Sequence, residues 1–169
     1  SPWRTKGWRM AVLRTACLLA LGLVALVVTS SMAYAAGDGP ALVQGDPASL
    51  TLGPGDVRSI SLRVDNAADV YGVELHLRFD PAILEVIDPQ TGQPARAIAP
   101  GDWMRHGFAA LNRVDNTAGL IDYAVTLVAP APSLSGGGPV AVITFRGKAV
   151  GATQLTVQKA IVASREGKE

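Results

Sequence analysis

Glu74 and Asp122 are the residues of this 169-residue chain best suited to do chemistry. Glu74 and Asp122 fall on outward positions of two alternating stretches. A carboxylate pair across such a face is what a glycosidase uses. A solvated polar face, or a face that binds another protein, accounts for the same residues without any reaction. His76 and His106 are the only histidines, and no nucleophile motif, phosphate loop or zinc spacing accompanies them. The residues therefore favour a non-catalytic reading, and the chain is expected not to be an enzyme. Asp65, Asn66 and Asp69 gather hard oxygen ligands suited to calcium. No glutamate follows at loop spacing, and turn formation explains the same residues, so no cofactor is expected.

The elements that must position these side chains read as strands. From Tyr71 to Phe79 the chain alternates strictly, with Tyr71, Val73, Leu75, Leu77 and Phe79 on one side and Gly72, Glu74, His76 and Arg78 on the other. That period of two marks a strand with one buried face. Asp80-Pro81 stops it, because proline cannot donate to a ladder and restricts the residue before it. Val57 to Val64 alternates in the same way, with Ile60, Leu62 and Val64 inward, and Asp65 to Asp69 reads as the turn between the two. Further strands are expected over 48–52, 84–87, 108–114, 120–128, 139–149 and 152–163. Ile121, Tyr123, Val125, Leu127, Ala141, Ile143 and Phe145 are the inward residues of the clearest ones. Residues 88–102 and 130–138 read as surface loops. No segment beyond the N-terminal block has a helical period. Eight strands with turn signals every 8 to 20 residues predict an all-β sandwich.

The N-terminal block reads as a secretory signal peptide over residues 1–36. Arg4, Lys6, Arg9 and Arg14 precede an uncharged apolar run, which ends in the small-residue pattern Ala33-Tyr34-Ala35. The run, about 14 residues, is shorter than the roughly 20 a bilayer-spanning helix needs. The expected location is extracellular or on the cell surface. Cys17 is the only cysteine, and its place ahead of the apolar run, with Arg14 three residues upstream, does not suit lipid attachment. Residues 37–47, rich in Gly, Asp and Pro, are expected to be a flexible lead-in. Without the four basic leader residues, eleven basic face fourteen acidic residues, a net charge of −3. That balance argues against nucleic acid or an anionic membrane as partner.

A set of short motifs resembles the cohesin family. They are Val64-Asp65-Asn66-Ala67, Val70-Tyr71-Gly72-Val73, Phe79-Asp80-Pro81 and Leu84-Glu85-Val86. Asn112 with Asp115, Gly119-Leu120-Ile121, Ser135-Gly136, Val142-Ile143-Thr144-Phe145 and Gly151-Ala152-Thr153 continue the pattern, which closes at Arg165-Glu166-Gly167. The resemblance spans residues 48–169, and it is carried by the order and spacing of the motifs. It implies a nine-stranded jelly-roll β-sandwich, immunoglobulin-like in outline and related to carbohydrate-binding modules. Family members carry a further strand after the region of residues 166–169. That strand lies beside the first one, so its absence is expected to leave Ala48 to Leu52 as an exposed edge.

The resemblance also implies a function and a site. Cohesins bind dockerin modules and so assemble polysaccharide-degrading enzymes, as in the cellulosome. Their partner docks on the sheet of the third, fifth, sixth and eighth strands. By position these are Val70–Phe79, Phe108–Val114, Leu120–Val128 and Ala152–Ala163 here. The expected partner-binding residues are Glu74, His76, Arg78, Asp122, Ala124 and Thr126 on that face, with Asn66 and Asp69 in the turn leading into it. Two other readings stand beside this one: a carbohydrate-binding module of the same superfamily, and a structural repeat of a surface protein. Sugar binding wants a row of exposed aromatics. Trp103 stands alone in the long loop, where an anchoring role suits it better than a sugar platform.

Overall fold

A computed structural model of the chain describes residues 24–29, 31–33 and 41–166. These form strands β1 (Val24–Thr29), β2 (Ser31–Ala33), β3 (Ala41–Asp46), β4 (Ser49–Leu52), β5 (Val57–Arg78) and β6 (Leu84–Val86). After β7 (Ala99–Pro100) and a single 3-10 turn at Asp102–Met104 come β8 (Phe108–Asp115), β9 (Leu120–Thr126), β10 (Leu134–Gly147) and β11 (Gly151–Ser164). Among the described residues no helix is long and apolar enough to cross a membrane.

β5 holds the molecule together. Its first half pairs with β3 and β10, and its second half with β9 and β11, all antiparallel. One strand thus serves both layers of a sandwich, and the sheet curls around a core of Ile60, Leu62, Val64, Val73, Leu75, Leu77, Tyr123, Ile143 and Phe145. Phe79 and Phe145 meet edge to face at 5.6 Å across the layers, a favoured aromatic geometry. The expected turn over 65–69 is instead a corner within this one strand. Asn66 and Asp69 both adopt φ 55° there, a left-handed conformation that Asn and Asp tolerate better than most residues. The strand changes layer without leaving the ladder. Tyr71, expected inward, is only partly buried. The pairing of β11 skips it, passing from Ala163↔Gly72 to Ser164↔Val70, so the bulge turns its side chain off the core row.

Two expectations about the N-terminal side do not hold. Residues 41–46, expected within a flexible lead-in, form β3, which buries Ala41 and Val43 and pairs Leu42–Asp46 with Asp65–Ser61. Nor is Ala48–Leu52 left without a ladder, although β4 ends the strand order and keeps its other side open. β1, which lies in the segment read as a signal peptide, pairs with β4 on one side and with the start of β11 on the other. The apolar run supplies the ladder that the edge would otherwise lack. Residues 1–23, 30 and 34–36 lie outside the described residues.

Tyr123 is fully buried, and its hydroxyl has no hydrogen-bond partner among the described residues. Burial also pushes its pKa up. A buried hydroxyl without a partner costs free energy that a hydrogen atom in its place does not. Tyr123→Phe is therefore expected to leave the protein as stable or to stabilise it by about 1 kcal/mol. Urea unfolding checks this, and a loss of more than about 1 kcal/mol would reveal a partner for the hydroxyl.

Candidate functional site

Four strands make one outward face, in the order β8, β9, the second half of β5, and β11. Backbone register sets the rows. Phe108, Thr126, Gly72 and Ala163 form the first; Leu111, Ala124, Glu74 and Ile161 the second; Arg113, Asp122, His76 and Lys159 the third. Leu120, Arg78 and Thr156 close the face. Alternate residues of β9, Ile121, Tyr123 and Val125, point into the core, so Asp122, Ala124 and Thr126 must point out.

The face has two chemically distinct ends. The end nearer the corner is apolar. Phe108 is 64% exposed and Leu111 38% exposed, and Ile161, Ala163 and Ala124 continue the surface across the sheet. A shallow groove of about 300 Å³ runs there, floored by Gly72, Ala124 and Ile161. The other end is charged. His76 Nδ1 lies 2.7 Å from Asp122 Oδ1, and its Nε2 lies 2.6 Å from Glu74 Oε1. Arg113 donates to Asp122 Oδ2 at 2.9 Å, and Lys159 reaches Glu74 at 3.4 Å.

A neutral imidazole has one N–H, so it cannot donate to both carboxylates; the imidazolium can. The Glu74 and Asp122 hydrogen bonds accordingly hold the His76 pKa above its ordinary value of 6.5. The same bonds hold Glu74 and Asp122 below theirs. The consequence for stability follows from the signs. His76 contributes fully below 6.5, and its contribution is lost as pH rises through its raised value. The carboxylates contribute above their ordinary values, and that is lost as pH falls through their lowered ones. The cluster thus stabilises most between about pH 4.5 and 6.5. His76→Gln should lower Tm most near about pH 5.5 and much less near about pH 8.5. A pH-independent difference in differential scanning calorimetry would rule out the doubly bonded imidazolium.

Glu74 and Asp122 are thus tied to one histidine and to Lys159 and Arg113, an arrangement that holds a face rigid and patterned rather than priming an acid and a base. The structure brings six of the eight expected partner-binding residues onto this face: Glu74, His76, Arg78, Asp122, Ala124 and Thr126. Asn66 and Asp69 lie instead at the corner beyond its apolar end, where the Asp69 N–H donates to Ser135 Oγ at 3.1 Å. The Asp65 carboxylate accepts from Gln44 Nε2 at 2.7 Å. The described residues contain no group of three His, Cys, Asp or Glu that could hold a metal ion. Phe108, Leu111, Arg113, Lys159 and Ile161 complete the face and were not anticipated. Trp103 is packed against the core and over Gly138, where an added Cβ would stand 2.6 Å from the ring. Among the described residues Phe108 is the one exposed large aromatic, so no aromatic platform forms.

Against known proteins, the match is in shape. A type II cohesin domain from the cellulosome of Acetivibrio cellulolyticus superposes with TM-score 0.62 at 16% identity, over 83% of this chain and 86% of that one. The chain has the cohesin fold. A second type II cohesin module, from the adaptor scaffoldin of the same organism, gives TM-score 0.57 at 12% identity, over 86% and 81% of the two chains. A cohesin from a type II cohesin–X-dockerin complex of that organism gives 0.55 at 15% identity, over 75% and 76%. No protein-family model matches the sequence, and no curated protein matches it. The cohesin-fold sandwich places β5, β8, β9 and β11 in the sheet just described.

Proposed function

We propose that this chain is a secreted, non-catalytic protein-interaction module that binds a dockerin-type partner through the β8–β9–β5–β11 face. The observation that carries the reading is the composition of that face: an exposed apolar end around Ala124 beside a fixed charged end around His76. Buried apolar contacts supply most of the affinity at such surfaces, and charged groups mostly set specificity and encounter rate. A small residue in the middle lets a partner helix approach the sheet. The structural neighbour in complex with a dockerin supports the same partner class. The leader-like N-terminal segment and the cellulosomal source of the neighbours support an extracellular or cell-surface location.

Ala124→Arg tests the reading. The larger charged side chain would stand in the apolar groove on an outward position, leaving the core unchanged. Titration of a panel of dockerin modules by calorimetry should show binding to the wild type and a loss on the order of a hundredfold in the variant. Unchanged circular dichroism would confirm that the fold persists. Equal binding by both proteins would exclude this face, and no binding by either would exclude a dockerin partner from the panel's classes.

A further inference from the structure

β1 stands apart from the other strands. Its sequence, Val-Ala-Leu-Val-Val-Thr, carries no charge, and its pairing with β11 is the one parallel pairing among the described strands. It fills a slot with a ladder on each side. Val24–Thr29 runs beside Gly151–Thr156, and Val24–Val27 runs beside Leu52–Ser49. Leu26 is fully buried and Val28 nearly so, while Val27 between them is 44% exposed. Val28 lies directly over Gly45, where a Cβ would come within 2.6 Å of its methyl group. The slot therefore has two apolar sockets at alternate positions, one of them made by a missing side chain.

The flanking edges depend on this occupant. β4 has no other ladder partner, and β11 meets β5 only from Thr156 onward. Without β1, both edges would present unpaired N–H and C=O groups beside an open apolar cleft, which is a template for another strand. The slot reads its occupant through backbone bonds and two apolar side chains, neither of which requires a covalent link to the rest of the chain. We propose that the slot between β4 and the first half of β11 is a strand-acceptor site. It takes, in trans, an uncharged extended peptide segment with apolar residues at two alternate positions whenever β1 is not seated. Cleavage at the Ala33-Tyr34-Ala35 pattern would leave β1 held by these contacts alone and free to exchange, although the test below needs no processing step and no dockerin.

In the full chain, Leu26→Asp would place a charge in the fully buried socket and expel β1. A fluorescent synthetic peptide spanning residues 22–31 should then bind the variant saturably, and at least about tenfold more tightly than it binds the wild type. The same peptide with Asp at the Leu26 position should not bind. Amide hydrogen exchange at 50–52 and 151–155 should be slow in the wild type, fast in the variant, and slow again with peptide. If the variant keeps wild-type exchange and takes no peptide, or takes both peptides equally, the proposal is overturned. If Leu26→Asp does not fold, Val28→Asp at the glycine socket replaces it. If neither folds alone, the peptide is added during refolding. Recovery of the strand spectrum in circular dichroism then supports an acceptor site, and failure to recover shows that β1 is only a fixed part of the core.

Discussion

Leu75→Ala is expected to destabilise the protein by about 2–5 kcal/mol, lowering Tm by about 5–15 °C. Leu75 is fully buried. It lies in the second half of β5, opposite Tyr123 of β9 and Ala160 of β11. Truncation removes its transfer free energy and leaves a cavity that two ladders prevent from collapsing. The backbone there is hydrogen-bonded on both sides, so neighbouring strands cannot close in without breaking register. Urea unfolding followed by circular dichroism measures the loss. A cost below about 0.5 kcal/mol would mean that Leu75 faces solvent and that the strand is shifted by one residue. Such a slip would also bury Glu74 and His76, so this one measurement checks the core and the proposed face together.

The second large effect is expected at two asparagines that brace the end of β6 and the segment after it. Asn116 Oδ1 accepts from the Val86 N–H at 2.8 Å, and its Nδ2 donates to the Val86 carbonyl at 2.9 Å. Asn112 does the same for Ile98, with both bonds at 2.8 Å. Each side chain therefore stands in for a neighbouring strand, satisfying the donor and acceptor of one residue at an end of the segment between β6 and β7: Val86, the last of β6, and Ile98, just before β7. That segment buries Ala95 and Ile98, so its backbone cannot turn to water instead. Changing both asparagines to alanine should cost about 2–5 kcal/mol, roughly 1–3 for each clamp. It should also open residues 88–98 to limited proteolysis. Asn116→Asp should not rescue its site, because a carboxylate would face the Val86 carbonyl without a proton to donate. A double variant with wild-type stability and an intact loop would show that packing alone holds the segment.

The inward residues of β5, β9 and β10 were legible because each strand has one wet and one dry face, and burial then writes itself into the sequence as alternation. Ile60, Leu62, Val73, Leu77, Ile121, Tyr123, Ile143 and Phe145 are all buried where the pattern places them. β11 was less clear for a physical reason. Its inward residues are Leu155 and Val157 before an irregularity at Val157/Lys159, and Val162 after it. The parity flips, and Lys159 and Ile161 reach the outer face from positions that a strict period of two assigns elsewhere. β8 has a similar irregularity at Ala109/Leu111. It also pairs only with β9, so it is exposed on most of its length and carries little alternation to read. β1 was invisible as a strand because an unbroken apolar run has no period at all. The asparagine clamps were not legible, since nothing local distinguishes an Asn in a turn such as Asn116, or in a strand such as Asn112, from one that bonds a segment 30 or 14 residues away.

The corner at Asn66 and Asp69 has a consequence for how the protein comes apart. Because β5 passes unbroken through it, neither layer of the sandwich owns a complete set of strands. Peeling β9 and β11 from one layer frees the second half of β5, and strain passes along the same backbone to the half that β3 and β10 hold. The layers are coupled like two leaves on one hinge pin, and neither leaf can be lifted off alone. Subglobal opening, in which one region of a protein exchanges its amides while another stays closed, should therefore be suppressed between them. A force applied along β5 would load both ladders at once.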